Sequence, residues 1–447
     1  MRSVYRRRPL LTIVILGAAL HLTCTTAIFI TGRFALMPSQ FDAYGIGVFA
    51  HDGHLLQPEV EALAETLKGE GLTAWARRPS TLHLKLYSVF IAVFGFWSGF
   101  NILTIEPLNL LYYLAILILV FRLSQEMFDR RAALLAVVVT GLWPSFLLHT
   151  TQLLKDPLLI NAVLVLLFIL AKLLTTKYTW RQGVVAGVVA SVAVLVIWIV
   201  RTSMWDAARV MVLFGLVLLI ARQVRERRAL PYNLVSMALL IMTIIIIPQH
   251  KTAFTSLQTM PDRAALPLEQ EVEGLSLEER IKLRRDMFNG TDDDGQVSGS
   301  TIDTDRQFQS RADMVSYLPR AVVIGFLAPF PNMWFAKGTK VDSSGRLLSG
   351  FEMLLTYVIE LLAVFGVWHR RHHLTTWLLF FTFAAGAVGL GLVVRNIGTL
   401  YRLRYPFWVP LVILGAGGAA HLSSSFFAKK RIGGGEQVAS VRGEMNA

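Results

Sequence analysis

Long apolar runs alternate with short polar segments along this chain. Each strong run approaches the roughly 20 residues that an α-helix needs to cross the hydrocarbon core of a bilayer. The strong runs cover residues 10–30, 105–121, 132–150, 157–175, 183–200, 207–221, 232–248, 350–368, 374–394 and 405–421. Two weaker runs are interrupted: 82–100 contains Lys85 and two glycines, and 319–335 contains Pro329 and Pro331. The pattern predicts an all-α polytopic membrane protein with about ten transmembrane helices.

Composition supports this class. Of the 447 residues, 54% are hydrophobic and 16% are charged, and the mean hydropathy is +0.54, values that a soluble domain rarely reaches. In a membrane protein, a formal net charge of +13 usually reflects basic cytoplasmic loops, so we expect no nucleic-acid partner. The one cysteine, Cys24, excludes a disulfide and a cysteine metal site within one chain. The first apolar run is long and lacks a small-residue cleavage site, which favours an uncleaved span over a signal peptide.

Loop charge predicts the orientation. With the N-terminus inside and ten spans, the basic clusters fall on the cytoplasmic side, as the positive-inside rule requires, and both termini are cytoplasmic. If 82–100 also crossed, three of these clusters would move outside. We therefore expect 82–100 and 319–335 to be interfacial helices on the outer surface of a plasma (inner) membrane. The predicted parts are a membrane module (1–248) with outer loops at 31–104 and 151–157, a large outer segment (249–349), C-terminal membrane helices (350–421) and a cytoplasmic tail (422–447).

Acidic residues in the predicted outer loops are the candidate catalytic groups. Asp42 follows the first span, and carboxylates placed near membrane spans are often functional. "SQFD" also fits a capping box, in which Ser39 would cap a short helix, while Asp52 in "HDG" resembles a turn residue. Asp156 precedes a proline, which predicts a helix start, and lies beside Lys155 at the outer mouth of a span. We expect Asp42 and Asp156 to share one outer cavity.

Basic residues on the predicted outer side oppose the positive-inside trend. Long cationic side chains can extend to lipid headgroups, but guanidinium forks also suit phosphate oxygens. The pattern therefore predicts an anionic ligand held by some of these residues: Arg77, Arg78, Lys85, Arg395, Arg402 and Arg404. Because residues two apart on a helix point about 200° from each other, we expect a non-helical approach to Pro406, with Arg402 and Arg404 on one side.

Two other groups have simpler explanations. Glu360 lies in the middle of a span, where a carboxylate suggests a cavity or a hydrogen-bonded neighbouring helix. His369 and His372 have H-x-x-H spacing but fall in a cytoplasmic turn, so we interpret them as a charge anchor. No metal-ligand set is predicted, and dependence on a divalent metal is left open.

The order of the motifs resembles the GT-C class of polyprenyl-phosphate-sugar glycosyltransferases, which includes protein O-mannosyltransferases and the aminoarabinose transferase of lipid A. The similar segments are "FDAYGIGVFAHDGHL", "RRPSTLHLKLYSVFIAVFG", "RLSQEMFDRRAALLA", "WPSFLLHTTQLLKDPLL" and "YRLRYPFWVPLVILGAGG". They cover about the first 180 and the last 60 residues, and Asp42 is followed by Ala43 where members of the class often have Glu.

The resemblance implies a membrane glycosyltransferase with outer interfacial helices. Its donor would be a sugar on a polyprenyl phosphate, and its acceptor a cell-envelope glycan, lipid or protein at the extracytoplasmic face. Asp42 and Asp156 would be catalytic, and the expected substrate-binding residues are Tyr44, Arg78, Lys85, Lys155, Arg402 and Arg404. No nucleotide-binding loop is present in the sequence, and an activated donor needs none. The alternatives are a transporter or flippase of lipid-linked glycans, built around Glu360 and His21, and a non-catalytic partner in polysaccharide assembly.

Overall fold

The structure is a computed structural model that describes residues 9–96, 99–258, 275–287, 301–335 and 343–444. Within these residues the fold is helical, with no β-strand and only two isolated bridges. The helices of the first half are α1 (Pro9–Arg33), α2 (His51–Gly69), α3 (Leu72–Arg77), α4 (Leu82–Phe94), α5 (Ile102–Met127), α6 (Arg130–Gly141), α7 (Pro144–Thr150), α8 (Asp156–Thr175), α9 (Trp180–Val200), α10 (Trp205–Glu226) and α11 (Pro231–Ile246). Those of the second half are α12 (Leu277–Met287), α13 (Arg311–Leu327), α14 (Ser343–His369), α15 (Leu374–Val393), α16 (Ile397–Leu403) and α17 (Tyr405–Glu444).

Nine of the described helices are long and apolar enough to cross a membrane, and a bent pair brings the total to ten. The bent pair is α6 and α7, which meet at 66° where the sequence predicted one span at 132–150. Pro144 lacks an N–H and is tolerated at the first turn of a helix but not in its interior, so the chain ends α6 and starts α7 there. The prediction of an all-α polytopic membrane protein is confirmed, with one span broken.

The short segments between the spans gather at two ends of the bundle. One end, which we call the site end, carries 34–101, 151–155, 201–204, 247–258 and 394–404. Hydrogen bonds join these segments, for example Gly47 N–H to Gln152 Oε1 at 2.9 Å and Ser80 N–H to the Ser256 carbonyl at 2.9 Å. The opposite end carries the basic turns that begin near Arg130, Lys177, Arg227 and Arg370. This sorting matches the one used to predict the orientation, which itself stays a prediction.

The first long loop, residues 34–101, folds over the site end, and we call this part of the structure the cap. Its helices α2 and α4 pack together on a small core that also includes residues of α1 and α5; Val60, Leu63, Leu84 and Tyr87 are fully buried there. At 13 residues, α4 is about 20 Å long, which is too short to cross roughly 30 Å of hydrocarbon. This length agrees with the prediction that 82–100 does not span.

In the second predicted interfacial segment, 319–335, α13 ends at Leu327 and a 3₁₀ turn follows at Pro331–Met333. The charged segment "LSLEERIKLRRDMF", predicted to form a short amphipathic helix, forms α12. Most of the predicted turn region that follows it, 289–300, lies outside the described residues. The last helix continues to Glu444, beyond the predicted end of the final span at residue 421.

Two helix pairs in the second half touch through their backbones. A Cβ atom on Gly325 of α13 would collide with the Ala387 carbonyl of α15, and one on Gly391 of α15 would collide with the Ala321 carbonyl of α13. Between α14 and α17, Gly366 and Gly418 are equally close to backbone atoms of the partner helix. Small residues at helix contacts allow such close packing in a bilayer, where apolar side chains gain little by leaving lipid.

Candidate functional site

A chain of alternating charges crosses the site end. Arg201 donates to Asp156 at 3.1 Å, Arg402 lies 3.3 Å from the other oxygen of Asp156, and Arg402 also donates to Asp52 at 2.6 Å. The four residues come from the end of α9, the start of α8, α16 and the first turn of α2. Asp156 is 3% exposed, so its two arginines are what make a buried carboxylate tolerable.

Asp156 begins α8, as the Asp-Pro pair predicted. Its carboxylate, however, makes no capping bond to the helix amides. Lys155 is the residue at the N-cap, and the Asp156 carboxylate instead accepts a charge-assisted hydrogen bond from Arg201 on one oxygen and forms an ion pair with Arg402 at the other. The prediction of the helix start is confirmed, and the predicted capping role is wrong.

Asp52 is the more exposed end of this chain of charges. The sequence suggested a turn residue, but Asp52 lies in the first turn of α2, where a negative charge also favours the helix N-terminus. Burial alone would raise the pKa of its carboxyl group, but the attraction and hydrogen bond of Arg402 lower the pKa below the usual value. Its side chain is still 44% exposed, so among the carboxylates bound to Arg402 it is the one that can meet a ligand.

A polar pocket of about 190 Å³ opens beside these charges. Its charged and imidazole-bearing lining residues are Asp52, His83, Lys155 and Arg201. The remaining polar lining residues are Thr81, Thr202 and Gln258. With Arg402 and Asp156 directly behind it, the pocket combines hydrogen-bonding side chains with several cations.

A larger, mostly apolar cavity of about 280 Å³ lies between α10 and α15. Its lining includes Met204, Phe214, Phe381 and Leu403, with Asp206 and Arg284 among its few charged groups. The two cavities adjoin the same turn, because Thr202 lines the polar pocket while Ser203 and Met204 line the apolar one. The turn at residues 201–204 thus contributes to the walls of both an apolar cavity and a charged pocket.

Arg402 and Arg404 do not lie on one side of the chain. The predicted non-helical approach to Pro406 is wrong: α16 ends at Leu403, and α17 begins at Tyr405. Consistent with a helical twist, Arg402 reaches Asp52 and Asp156, whereas Arg404 turns into the bundle and donates to the Ala328 carbonyl and the Met353 sulfur. Arg404 is 4% exposed, so its contacts connect segments of the fold.

A second buried carboxylate, Glu352, holds the surroundings of the site in place. It accepts hydrogen bonds from the Ser145 amide at 2.7 Å, the Ser145 hydroxyl at 2.5 Å and the Tyr401 hydroxyl. Tyr405 donates to the same serine oxygen at 2.7 Å. Glu352 thereby joins α7, which leads to Asp156, to α16, which carries Arg402.

Asp42 lies in a turn that it stabilises itself. Its Oδ1 accepts from the amides of Tyr44 at 3.0 Å and Ile46 at 2.7 Å, and its Oδ2 is 3.3 Å from His54 Nδ1. No helix begins at Ser39, so the predicted capping box is wrong. Tyr44 is 45% exposed and its ring lies near Phe100. The polar pocket is lined by Asp52, not by Asp42.

Arg78 and Lys85 bind within the cap. Arg78 forms an ion pair with Glu59 at 3.3 Å and donates to the Thr66 hydroxyl at 3.1 Å. Lys85 donates to the carbonyl of Ala76 at 2.8 Å and to that of Trp75 at 3.3 Å, in the last turn of α3. Of the eight residues expected to be catalytic or substrate-binding, the structure therefore brings Lys155, Asp156 and Arg402 together and places the other five elsewhere.

Sequence reasoning missed several residues of this region. Arg201 is a basic residue on the predicted outer side, directly after a span, and this position is the signal that would have found it. His83 lies in a segment in which the basic residues Arg78 and Lys85 gave the stronger signal. Glu352 and Tyr401 carry no local signal, because Glu352 sits in the first turns of an apolar helix and its partners are 207 and 49 residues away in sequence.

The buried groups of the transporter alternative belong to other contacts. His21 binds Glu106 at 2.7 Å and Thr150 at 3.2 Å and is fully buried. Glu360 is on α14, and its Oε1 has no hydrogen-bond partner among the described residues. Within the described residues no group of three His, Cys, Asp or Glu side chains is arranged to hold a metal ion. No protein-family model matches the sequence, and no curated protein matches it.

Proposed function

We propose that this protein is a membrane glycosyltransferase that moves a sugar from a polyprenyl-phosphate carrier to a hydroxyl of a cell-envelope glycan, lipid or protein. The reaction would take place in the polar pocket at the site end, which we propose is extracytoplasmic. The observation that carries this proposal is that one turn, residues 201–204, contributes to the lining of both a charged pocket and an apolar cavity. A lipid-linked sugar phosphate needs both environments side by side.

The cations of the pocket suit the phosphate. Arg201 offers a planar fork, Lys155 a compact charge, and Arg402 supports both carboxylates from behind. When the bond between the anomeric carbon and the phosphate oxygen breaks, negative charge grows on that oxygen. Cations fixed in a partly buried site stabilise this charge without having to reorganise.

Asp52 is the proposed general base. The acceptor hydroxyl would attack the anomeric carbon, the phosphate would leave with the electron pair of the broken bond, and the hydroxyl proton would pass to Asp52. Asp52 is better placed than Asp156, whose carboxylate is 4% exposed and held by two arginines, because Asp52 lines the pocket and is 44% exposed. A positioned base contributes about 10²–10⁴-fold in rate.

The test supplies membrane vesicles with a panel of radiolabelled polyprenyl-phosphate sugars and follows the label into envelope fractions. The expected result is transfer from at least one donor, reduced about 10²–10⁴-fold by Asp52→Asn. Glu61→Gln, the same change on the same helix outside the pocket, should leave transfer intact. Asp42→Asn separates the two candidate bases: loss with this variant and not with Asp52→Asn would reassign the base, and no transfer from any donor would refute the proposed function.

A further inference from the structure

His83 differs from His21 and His149 in its hydrogen bonds. It is 3% exposed, and neither ring nitrogen has a hydrogen-bond partner among the described residues. By contrast, both nitrogens of His21 are bonded, and His149 is bonded through Nδ1 to the Ser145 carbonyl at 2.6 Å. Buried polar groups are nearly always satisfied, so two unbonded nitrogens on one ring require an explanation.

The ring lines the polar pocket, facing Lys155 and Arg201 together with Asp52, and Asp156 lies behind. Burial, followed by the nearby Lys155 and Arg201 charges, lowers the pKa of His83 to about 3, although the two carboxylates act in the opposite direction. The ring is therefore neutral at physiological pH. A neutral imidazole presents one N–H donor and one acceptor nitrogen.

These properties exclude two roles. A histidine that only supports the fold would bond to protein groups, as His21 and His149 do. A histidine that acts as general base must become an imidazolium, which burial and the two neighbouring cations oppose. A phosphate oxygen is also a poor partner, because it only accepts and would be drawn to Lys155 and Arg201. A hydroxyl both donates and accepts, so it can bond either nitrogen.

We propose that His83 is a specificity-determining residue that recognises a hydroxyl group of the sugar carried into this pocket. This inference rests on the proposed function for the identity of the ligand, a sugar phosphate. Lys155 and Arg201 bind the phosphate, and His83 forms a hydrogen bond with a hydroxyl of the adjacent sugar ring. Losing one neutral hydrogen bond weakens binding by about 2- to 13-fold.

The experiment measures dissociation constants of the purified full chain in nanodiscs for two soluble probes, citronellyl phosphate and citronellyl phosphate bearing one monosaccharide, across several monosaccharides. His83→Phe should weaken the tightest sugar-bearing probe about 2- to 13-fold and leave the bare phosphate probe within twofold. His83→Gln, which keeps a donor and an acceptor, should restore part of the loss. His250→Phe, at the same end but outside the pocket, is the matched control.

Stability and pH provide readouts that a supporting role would not reproduce. Because His83→Phe removes two unbonded buried nitrogens, the melting temperature of the free protein should stay the same or rise. The factor by which His83→Phe weakens the sugar-bearing probe should be the same at pH 5.5 and 8.5, since the ring is neutral throughout; this probe is a phosphodiester and lacks the second ionisation near pH 6 of the bare phosphate. A factor that changes with a midpoint near the usual histidine pKa of about 6.5 would overturn the neutral-imidazole assignment.

The outcomes separate this inference from the proposed function. Sugar-selective weakening in His83→Phe without transfer to any acceptor would keep the recognition role and refute the transferase. Transfer by the wild type with equal weakening of both probes, or with none, would refute the role of His83 alone. Binding of neither probe by the wild type would overturn both.

Discussion

Replacing Glu352 by Gln should loosen the site end measurably without removing a side chain. Glu352 is fully buried, and three hydrogen bonds join it to Ser145 and Tyr401: one on Oε1 from the Ser145 amide and two on Oε2 from the hydroxyls of Ser145 and Tyr401. A glutamine keeps the shape but offers only one acceptor oxygen. With that oxygen at Oε2, the new amide group would face the Ser145 N–H, donor against donor.

The magnitude follows from these bonds. A hydrogen bond to a charged group contributes about 1.5–3 kcal/mol. In its better orientation Glu352→Gln loses one such bond, so we expect about 1.5–3 kcal/mol lower stability. Tyr401→Phe removes one donor and should cost a similar amount. Glu352→Ala loses all three, a sum of about 4.5–9 kcal/mol that approaches the whole stability of a typical domain.

The assay is thermal unfolding of the full chain in one detergent, with donor transfer measured in parallel. Glu360→Gln is the control, since it makes the same change on the same helix at an oxygen without a hydrogen-bond partner; it should cost clearly less. Transfer should fall in Glu352→Gln and Tyr401→Phe together, because each weakens the connection between α7 and α16. Equal melting temperatures for Glu352→Gln and Glu360→Gln would refute the reasoning.

Three further predictions concern the charges and the orientation. Asp156→Asn leaves two arginines without their buried counter-charge and should lower stability by about 3–5 kcal/mol, measured by thermal unfolding; a neutral effect would mean that the pair is dispensable. Because the pKa of Asp52 is lowered in the folded state, its stabilising contribution is present above the unfolded pKa of about 3.9 and is lost as the pH falls through the folded pKa. Wild-type melting temperature should therefore fall more steeply below about pH 4 than that of Asp52→Asn, and parallel curves would contradict this. In a Cys24→Ser background, an impermeant thiol reagent added to intact cells should label Phe34→Cys directly and Arg228→Cys only after permeabilisation; the reverse pattern would invert the topology.

The spans could be predicted because bilayer thickness imposes a length that hydropathy alone reveals. The break in the span predicted at 132–150 occurs at Pro144, a proline inside an apolar run, but the 66° angle depends on the residues against which α7 packs. In the structure the start of α7 is held by Glu352, whose carboxylate accepts a hydrogen bond from the amide of Ser145, the residue after Pro144. Such a long-range partner has no local pattern.

The candidate site could be predicted only in part, because its long-range contacts also leave no local pattern in the sequence. Asp156 and Lys155 were found from the start of a helix, and Arg402 from its place on the predicted outer side, against the positive-inside trend. Asp42 and Asp52 lie ten residues apart in one loop, and only the fold of the cap decides which carboxylate faces the pocket. Local sequence favoured Asp42, whereas the position of Asp52 on α2 points it toward Arg402.

The separation of Asp52 and Arg402 by 350 positions has a consequence for how the protein is made. Asp156 and Arg201 are 45 positions apart and can pair while the ribosome is still translating the middle of the chain. Asp52 can pair with Arg402 only after α16 has been translated. Likewise, the close backbone contact between α14 and α17 at Gly366 and Gly418 can form only after α17 has been translated. A nascent chain halted before residue 402 would thus carry most of its spans and a folded cap, but not the arginine that pairs with Asp52 and Asp156. The order of synthesis itself keeps the charged site incomplete until nearly every membrane helix has been translated.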